Sequence, residues 1–175
     1  MKRIKLTIAY NGTPFHGWQK QQGLPTVQGN IEDALREITS EATEIFVAGR
    51  TDAGVHALGQ VAHFDTESAI DISRFQTGIN HFCAPDIVVT EATEVTNDFH
   101  ARHSATMRHY TFKFYNKRAP SPFWHGLALH EARPLDIAKL NAYLAGFEGE
   151  IDCNALRSTE CQSAVSMCFI KHASF

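Results

Sequence analysis

The chain has 175 residues, of which 43% are hydrophobic, and a formal net charge of -3 at pH 7. This length suits one domain of ordinary size, or one domain and part of another, with enough apolar side chains for a core. The charge balance does not indicate nucleic-acid binding, so such a surface would have to be a local basic patch. No apolar run is long enough to cross a bilayer, and the basic start at 1–5 is unlike a signal peptide. We therefore expect a cytoplasmic protein that does not contact a membrane.

The spacing of cysteine and histidine does not have the signature of a metal site. The four cysteines form no Cys-x-x-Cys pair, and the ten histidines are scattered. His100 and His103 lie close together, but no matching second pair of ligands is evident. We therefore predict no metal site, and cysteines that stay reduced in the cytoplasm.

The first half of the chain alternates between predicted strands and helices. Residues 2–10 place apolar side chains at every second position, which is typical of a half-buried strand. Thr26 can cap a helix whose apolar face recurs at helical spacing, through Val27, Ile31, Leu35 and Ile38. The further elements are predicted as strands at 44–48 and 57–65, a helix at 71–82 and a strand at 86–95.

The order β-α-β-β-α-β predicts an α+β fold of the ferredoxin-like type, with an antiparallel sheet and both helices on one face. We assign residues 1–98 to this N-terminal unit and residues 99–175 to a second unit.

A long loop at residues 10–23 mixes turn formers, amides and aromatic residues. Loops of this length inside a compact domain are often functional. The structural alternative is that Phe15 and Trp18 fold back onto the core. Gly29, near the start of the following helix, indicates close packing or a close partner at that point.

Residues 99–118 are basic and aromatic and contain no acidic side chain. Aromatic residues alternate with polar ones around Tyr110, which predicts a strand. A basic strand interleaved with aromatic side chains suits a phosphate backbone and a stacked base. The alternative is a sheet strand whose polar face is merely solvated.

The remainder predicts a helix from Pro134 or Asp136, ended by residues 149–152, and a final strand at 165–170. A polar loop through 161–163 precedes that strand, in which Val165, Met167 and Phe169 alternate with the residues between them. This β-α-β pattern is half of a ferredoxin-like unit. It would leave an unpaired sheet edge, so we expect the chain to be short relative to its relatives.

The central loop at residues 49–56 reads GRTDAGVH and joins two predicted strands. Its glycines permit unusual backbone conformations and the close approach of a partner. Arg50 and Asp52 indicate a charged working site, although an ordinary hairpin connection would use similar residues.

Several chemistries do not fit this loop. Glycoside hydrolysis usually needs two facing carboxylates, and Asp52 is the only one here. The phosphate-binding loop, the Gly-x-Ser-x-Gly elbow and the zinc deaminase signature are all absent from the sequence. What remains fits an aspartate that acts as nucleophile or base on a nucleic-acid substrate.

Residues 49–57, GRTDAGVHA, resemble the catalytic motif of the tRNA pseudouridine synthase A family. Residues 10–19, YNGTPFHGWQ, resemble the family's N-terminal motif, and residues 26–29, TVQG, resemble the start of its first helix. Residues 99–110, FHARHSATMRHY, resemble its central motif, with looser similarity at 149–152 and 161–163. The resemblance runs through the whole chain in order.

This resemblance implies the pseudouridine synthase fold and isomerisation of uridine to pseudouridine at positions 38, 39 and 40 of tRNA, without a metal or organic cofactor. Asp52 would be the essential carboxylate, whether it attacks the sugar, attacks the base or removes a proton. The target uridine must first leave the stack. Arg50 would fill the vacated space, and Tyr110 would stack on the flipped uracil. Further RNA contacts are expected from Arg102, Arg108 and His56.

Relatives of this type continue beyond residue 175 and form homodimers, and their later segment carries an arginine that pairs with the catalytic aspartate. Cys153 also stands where the family usually has phenylalanine. We therefore expect this chain alone to be weakly active or inactive. The alternatives are a non-catalytic RNA-binding fragment and a ferredoxin-like protein-interaction domain.

Overall fold

The computed structural model describes residues 1–156 and 166–175. These form two compact units, Met1–Arg108 and His109–Phe175. The domain division predicted after residue 98 stays a prediction. In the part of the chain that is described, no helix is both long and apolar enough to span a membrane.

The first unit contains six elements in the predicted order. These are β1 (Lys2–Tyr10), α1 (Val27–Thr39), β2 (Phe46–Val47), β3 (Ala57–Thr66), α2 (Ile72–Phe82) and β4 (Ile87–Val95). The strand expected at 44–48 is shorter than predicted, because only Phe46 and Val47 pair with β3.

The four strands form one antiparallel sheet in the order β2-β3-β1-β4. The predicted alternation in β1 is confirmed, since Ile4, Leu6 and Ile8 are fully buried. Side chains of both helices join these residues in a single hydrophobic cluster that includes Leu35 and Phe75. β1 therefore lies at the centre of the unit and supports the loops at its ends.

The cap predicted for α1 is also confirmed. The Thr26 side chain accepts a hydrogen bond from the Gly29 amide at 3.3 Å. A β-carbon on Gly29 would lie 2.9 Å from that hydroxyl, which explains the glycine by close packing. α2 is capped in the same way, by Asp71.

Replacing Thr26 with alanine should lower the unfolding free energy of the first unit by about 1 kcal/mol, because the Gly29 amide loses its acceptor. Thr26→Ser keeps the hydroxyl and should stay within about 0.5 kcal/mol of the parent. Urea unfolding followed by Trp18 fluorescence, with Trp124 replaced by Phe, measures this effect. Equal stability of the Ala and Ser variants would contradict the cap's contribution.

Over its described residues, the second unit contains two small sheets and one nine-residue α-helix. Its elements are β5 (Phe114–Tyr115), β6 (Leu129–His130), α3 (Ile137–Ala145), β7 (Gly149–Asp152), a 3-10 turn (Cys153–Leu156) and β8 (Met167–Ile170). β5 pairs with β6 in parallel, and β7 with β8 antiparallel. The predicted helix start is confirmed, since Asp136 caps α3.

Two predictions for this unit are wrong. The strand around Tyr110 is limited to Phe114–Tyr115, because only these two residues find a partner strand. Residues 149–152 form β7 rather than a helix end, since they pair with β8. The predicted final strand is confirmed over Met167–Ile170, where Met167 and Phe169 alternate with less exposed residues and are themselves 48% and 74% exposed. Val165 and the polar loop at 161–163 lie outside the described residues.

The expectation of reduced cysteines is also wrong for one pair. β7 and β8 bring Cys153 and Cys168 into a disulfide, with their α-carbons 6.6 Å apart. The Cys153 amide donates to the Ser166 carbonyl at 2.9 Å, so the two strand ends are already held together. Cys83 is a free thiol whose pKa burial raises to about 11.

Candidate active site

The loop that carries Asp52 joins β2 to β3 at one end of the sheet. Asp52 is exposed, and its carbonyl accepts from the Val55 amide at 3.2 Å, which forms a turn. Gly54 follows at φ +78°, a conformation that favours glycine. The turn therefore presents the carboxylate to solvent at a defined point of the backbone.

The N-terminal loop packs directly on this turn. The Trp18 amide donates to the Thr51 carbonyl at 2.9 Å, and the Gly54 amide donates to the Phe15 carbonyl at 3.3 Å. Phe15 and Trp18 are also buried, at 5% and 1% exposure, as the structural alternative predicted. The two aromatic residues thus anchor the loop in the core while its backbone holds the segment around Asp52.

Two glycines of the N-terminal loop have no room for a side chain. A β-carbon on Gly12 would overlap the Val55 carbonyl. One on Gly17, whose φ is +83°, would lie 2.6 Å from the Thr51 carbonyl oxygen. Close contact between the two loops therefore depends on both glycines.

A polar network of three side chains underlies the first half of the Asp52 loop. The hydroxyls of Tyr10 and Thr51 are 2.8 Å apart. The side-chain amide of Gln60 donates to the Gly49 carbonyl at 2.8 Å and to the Tyr10 hydroxyl at 3.4 Å. Sequence reasoning missed Gln60. Its position opposite Ile8 in the β1–β3 ladder depends on strand register, which the sequence pattern does not specify.

Arg50 and His56 lie on the same loop as Asp52, and both are exposed. His56 Nδ1 accepts from the Gly12 amide at 3.1 Å, so a neutral ring carries its proton on Nε2. Within Met1–Arg108, the described residues show no ion pair to Asp52. The hydrogen bond between His56 and the Gly12 amide fixes the second half of the loop.

Residues 99–104 are attached to the same sheet. Arg3 donates to the carbonyls of Asn97 and Phe99, at 2.6 and 2.7 Å, and forms a bidentate pair with Asp65. Arg102 is exposed on this segment. Arg108, four residues after Ser104, donates to the Ala48 carbonyl at 2.7 Å. Ala48 immediately precedes the Asp52 loop.

His63 lies beneath this segment with 1% of its surface exposed. Its Nδ1 accepts from the Ala101 amide at 3.2 Å, and its ring stacks on Phe46 at 5.3 Å. Burial, followed by the charges of Arg3 and His100, lowers the pKa of His63 to about 4. The histidine is therefore neutral at pH 7, which keeps Nδ1 as an acceptor.

This pKa predicts a pH-dependent stability. The folded value, about 4, lies below the ordinary value of 6.5, so the unfolded chain binds the proton more readily. The stabilisation is complete above pH 6.5 and is lost as the pH falls toward 4. His63→Asn keeps an acceptor but does not titrate, so its unfolding free energy should fall less between pH 7 and pH 5. His81→Asn, at an exposed site on α2, should retain the parent's slope, and equal slopes for all three proteins would contradict this prediction.

Tyr110 belongs to the second unit, is 76% exposed and lies outside any strand. Its neighbours Phe112 and Phe114 have ring centroids 5.0 Å apart, and Phe112 is 71% exposed. The predicted aromatic surface is thus present as exposed side chains, although not as a continuous strand. Among the described residues no group of three potential metal ligands occurs.

An exposed carboxylate on a loop held by a second loop, beside basic side chains, defines a site for acid, base or nucleophilic chemistry on an anionic substrate. Comparison with known proteins narrows this class. A family described as tRNA pseudouridine synthase matches residues 6–104. The chain is 41% identical over 167 residues to tRNA pseudouridine synthase A of Acetivibrio thermocellus, covering 95% of this chain and 68% of that protein.

Other relatives agree. The chain is 44% identical over 164 residues to tRNA pseudouridine synthase A of Bradyrhizobium diazoefficiens, covering 93% of this chain and 67% of that protein. It is 42% identical to the protein of that name from a Janthinobacterium species, covering 62% of it. The chain therefore belongs to the tRNA pseudouridine synthase A family, and it spans about two thirds of the length of the curated relatives it matches.

Proposed function

We propose that this chain isomerises uridine to pseudouridine in the anticodon stem-loop of tRNA, at positions 38, 39 and 40, with Asp52 as the essential carboxylate, although the sequence alone led us to expect weak or absent activity. The observation that carries this proposal is that residues 49–57, which resemble the family's catalytic motif, present Asp52 on an exposed turn fixed by the N-terminal loop. The reaction breaks the bond from C1′ to N1 of uracil and forms a bond from C1′ to C5. The proton on C5 is released to solvent, and N1 takes up a proton in its place, so that the product is an isomer of the substrate.

The remaining predicted residues have roles that follow from their charge and exposure. Arg50, beside Asp52, would enter the space left by the extruded uridine and contact the RNA. Arg102, Arg108 and His56 would contact the RNA near the turn. The exposed ring of Tyr110 would stack on the uracil.

We further infer a ferredoxin-like arrangement for the first unit. The element order β-α-β-β-α-β and the antiparallel sheet order β2-β3-β1-β4 support this arrangement. We also propose a cytoplasmic enzyme that acts as a homodimer on tRNA, as the resemblance implies. Gel filtration with light scattering tests the dimer.

The position of modification tests the proposed function. Transcribed tRNA with uridine at position 39 should gain pseudouridine there, detected as carbodiimide-dependent stops in reverse transcription. A matched tRNA with a C–G pair at the same position should gain none at that site. Equal affinity for both tRNAs without any pseudouridine would contradict the proposal and favour the non-catalytic RNA-binding alternative.

A further inference from the structure

We propose that Tyr10 and Gln60 are positioning residues for Asp52, an inference that rests on the proposed function. They act through the backbone and hydroxyl of residues 49–51, which immediately precede Asp52. Their contribution is to hold the carboxylate in one place before the substrate arrives.

The donors and acceptors of this network match without conflict. The two hydrogens on Gln60 Nε2 serve the Gly49 carbonyl and the Tyr10 hydroxyl. The Tyr10 hydroxyl accepts from Gln60 and also forms a hydrogen bond with the Thr51 hydroxyl, in which either oxygen can donate. The chain of bonds therefore runs from Gln60 through Tyr10 to Thr51.

The support beneath the network is rigid. Tyr10 is 4% exposed and ends β1, where it pairs with Ala57 of β3 and Ile87 of β4. Its ring also packs against Trp18, with centroids 6.0 Å apart. A hydroxyl on a buried ring, carried by backbone that is paired on both sides, is a fixed reference point for a loop.

The network supports the first half of the loop, together with the backbone of Trp18, and a separate set of contacts supports the second half. The second half is held by bonds from Gly54 to Phe15 and from Gly12 to His56. The first half is held by Trp18 through its backbone, and by Tyr10 and Gln60 through their side chains. Loss of the Tyr10 hydroxyl should therefore loosen the segment before Asp52 and leave the second half in place.

Tyr10→Phe is the direct test, because it removes one oxygen and keeps the buried ring. We expect kcat for pseudouridine formation to fall about 10-fold, with the Kd for tRNA within about twofold of the parent. Tyr143→Phe, at an exposed tyrosine on α3, is the matched control and should retain full kcat. A parent-like kcat for Tyr10→Phe would overturn the proposal.

A double-mutant cycle separates positioning from general stability. Thr51→Val removes the partner hydroxyl while keeping the side chain's shape. If Tyr10 acts through Thr51, the double variant should be no slower than the slower single variant. Losses that multiply in the double variant would overturn the proposed route.

Amide hydrogen exchange supplies a measurement that does not need activity. The Trp18 amide, which donates to the Thr51 carbonyl, should exchange faster in Tyr10→Phe than in the parent and in Tyr143→Phe. Unchanged exchange would overturn the inference. The unmutated chain could form no pseudouridine while the Trp18 amide still exchanges faster in Tyr10→Phe than in the unmutated chain. In that case the proposed function fails and the positioning of the loop stands.

Discussion

Replacing Asp52 with asparagine should abolish pseudouridine formation, with a fall in kcat of ~10⁴-fold or more. Asparagine has nearly the same shape, so the turn from Asp52 to Val55, which uses the backbone, should persist. What it removes is the negative charge, which a nucleophile or a base requires. The rate is best measured as single-turnover conversion at saturating tRNA.

The affinity of Asp52→Asn for tRNA should not fall with its activity. Asp52 is exposed, and its charge repels the phosphates of an incoming RNA, so the Kd for tRNA should be unchanged or lower in Asp52→Asn. Asp33→Asn is a matched control, since Asp33 forms only an exposed pair with Arg36 on α1. Its kcat should stay within about twofold of the parent. Substantial activity in Asp52→Asn would contradict the assigned role.

The second large effect is expected at Gly17. Alanine there must adopt φ +83°, which costs about 1–2 kcal/mol, and its β-carbon meets the Thr51 carbonyl at 2.6 Å. The N-terminal loop or the Asp52 loop must then move. A displacement near 1 Å would lower kcat by about 100-fold, even in chains that remain folded.

Gly23 provides the control for the cost of placing alanine at a positive φ. Its φ is +76°, close to that of Gly17, but a β-carbon there would meet nothing within 4 Å. Gly23→Ala should therefore lose about 1 kcal/mol of stability and keep kcat within about twofold. If the two variants lose activity equally, conformational strain explains the effect, and a requirement for close contact between the two loops is contradicted.

The first unit could be predicted from sequence because its elements carry strong local signals. β1 has strict alternation, α1 has a capped apolar face, and α2 has the same pattern after Asp71. The second unit gave weaker signals. Tyr110 and Phe112 alternate as in a strand, but a strand also needs a partner, and only Phe114–Tyr115 has one.

The candidate site divides along the same line. Asp52, Arg50 and His56 could be proposed from the sequence because they lie within one distinctive motif. Gln60 and His63 were not, because their roles depend on which residues β3 places beside the loops. Tyr10 lay within a recognised motif, yet its contact with Thr51 spans 41 positions of sequence. Tertiary contacts between single polar groups leave no periodic trace in a chain.

The most direct test of the central claim is tritium release from tRNA labelled at C5 of uridine, using the unmutated 175-residue chain. Isomerisation exchanges that position with solvent, so the account predicts release that depends on enzyme and saturates at the number of modifiable uridines. It also predicts no release above background from Asp52→Asn. A folded chain that binds tRNA but releases no tritium would contradict the claim that these residues form a working pseudouridine synthase.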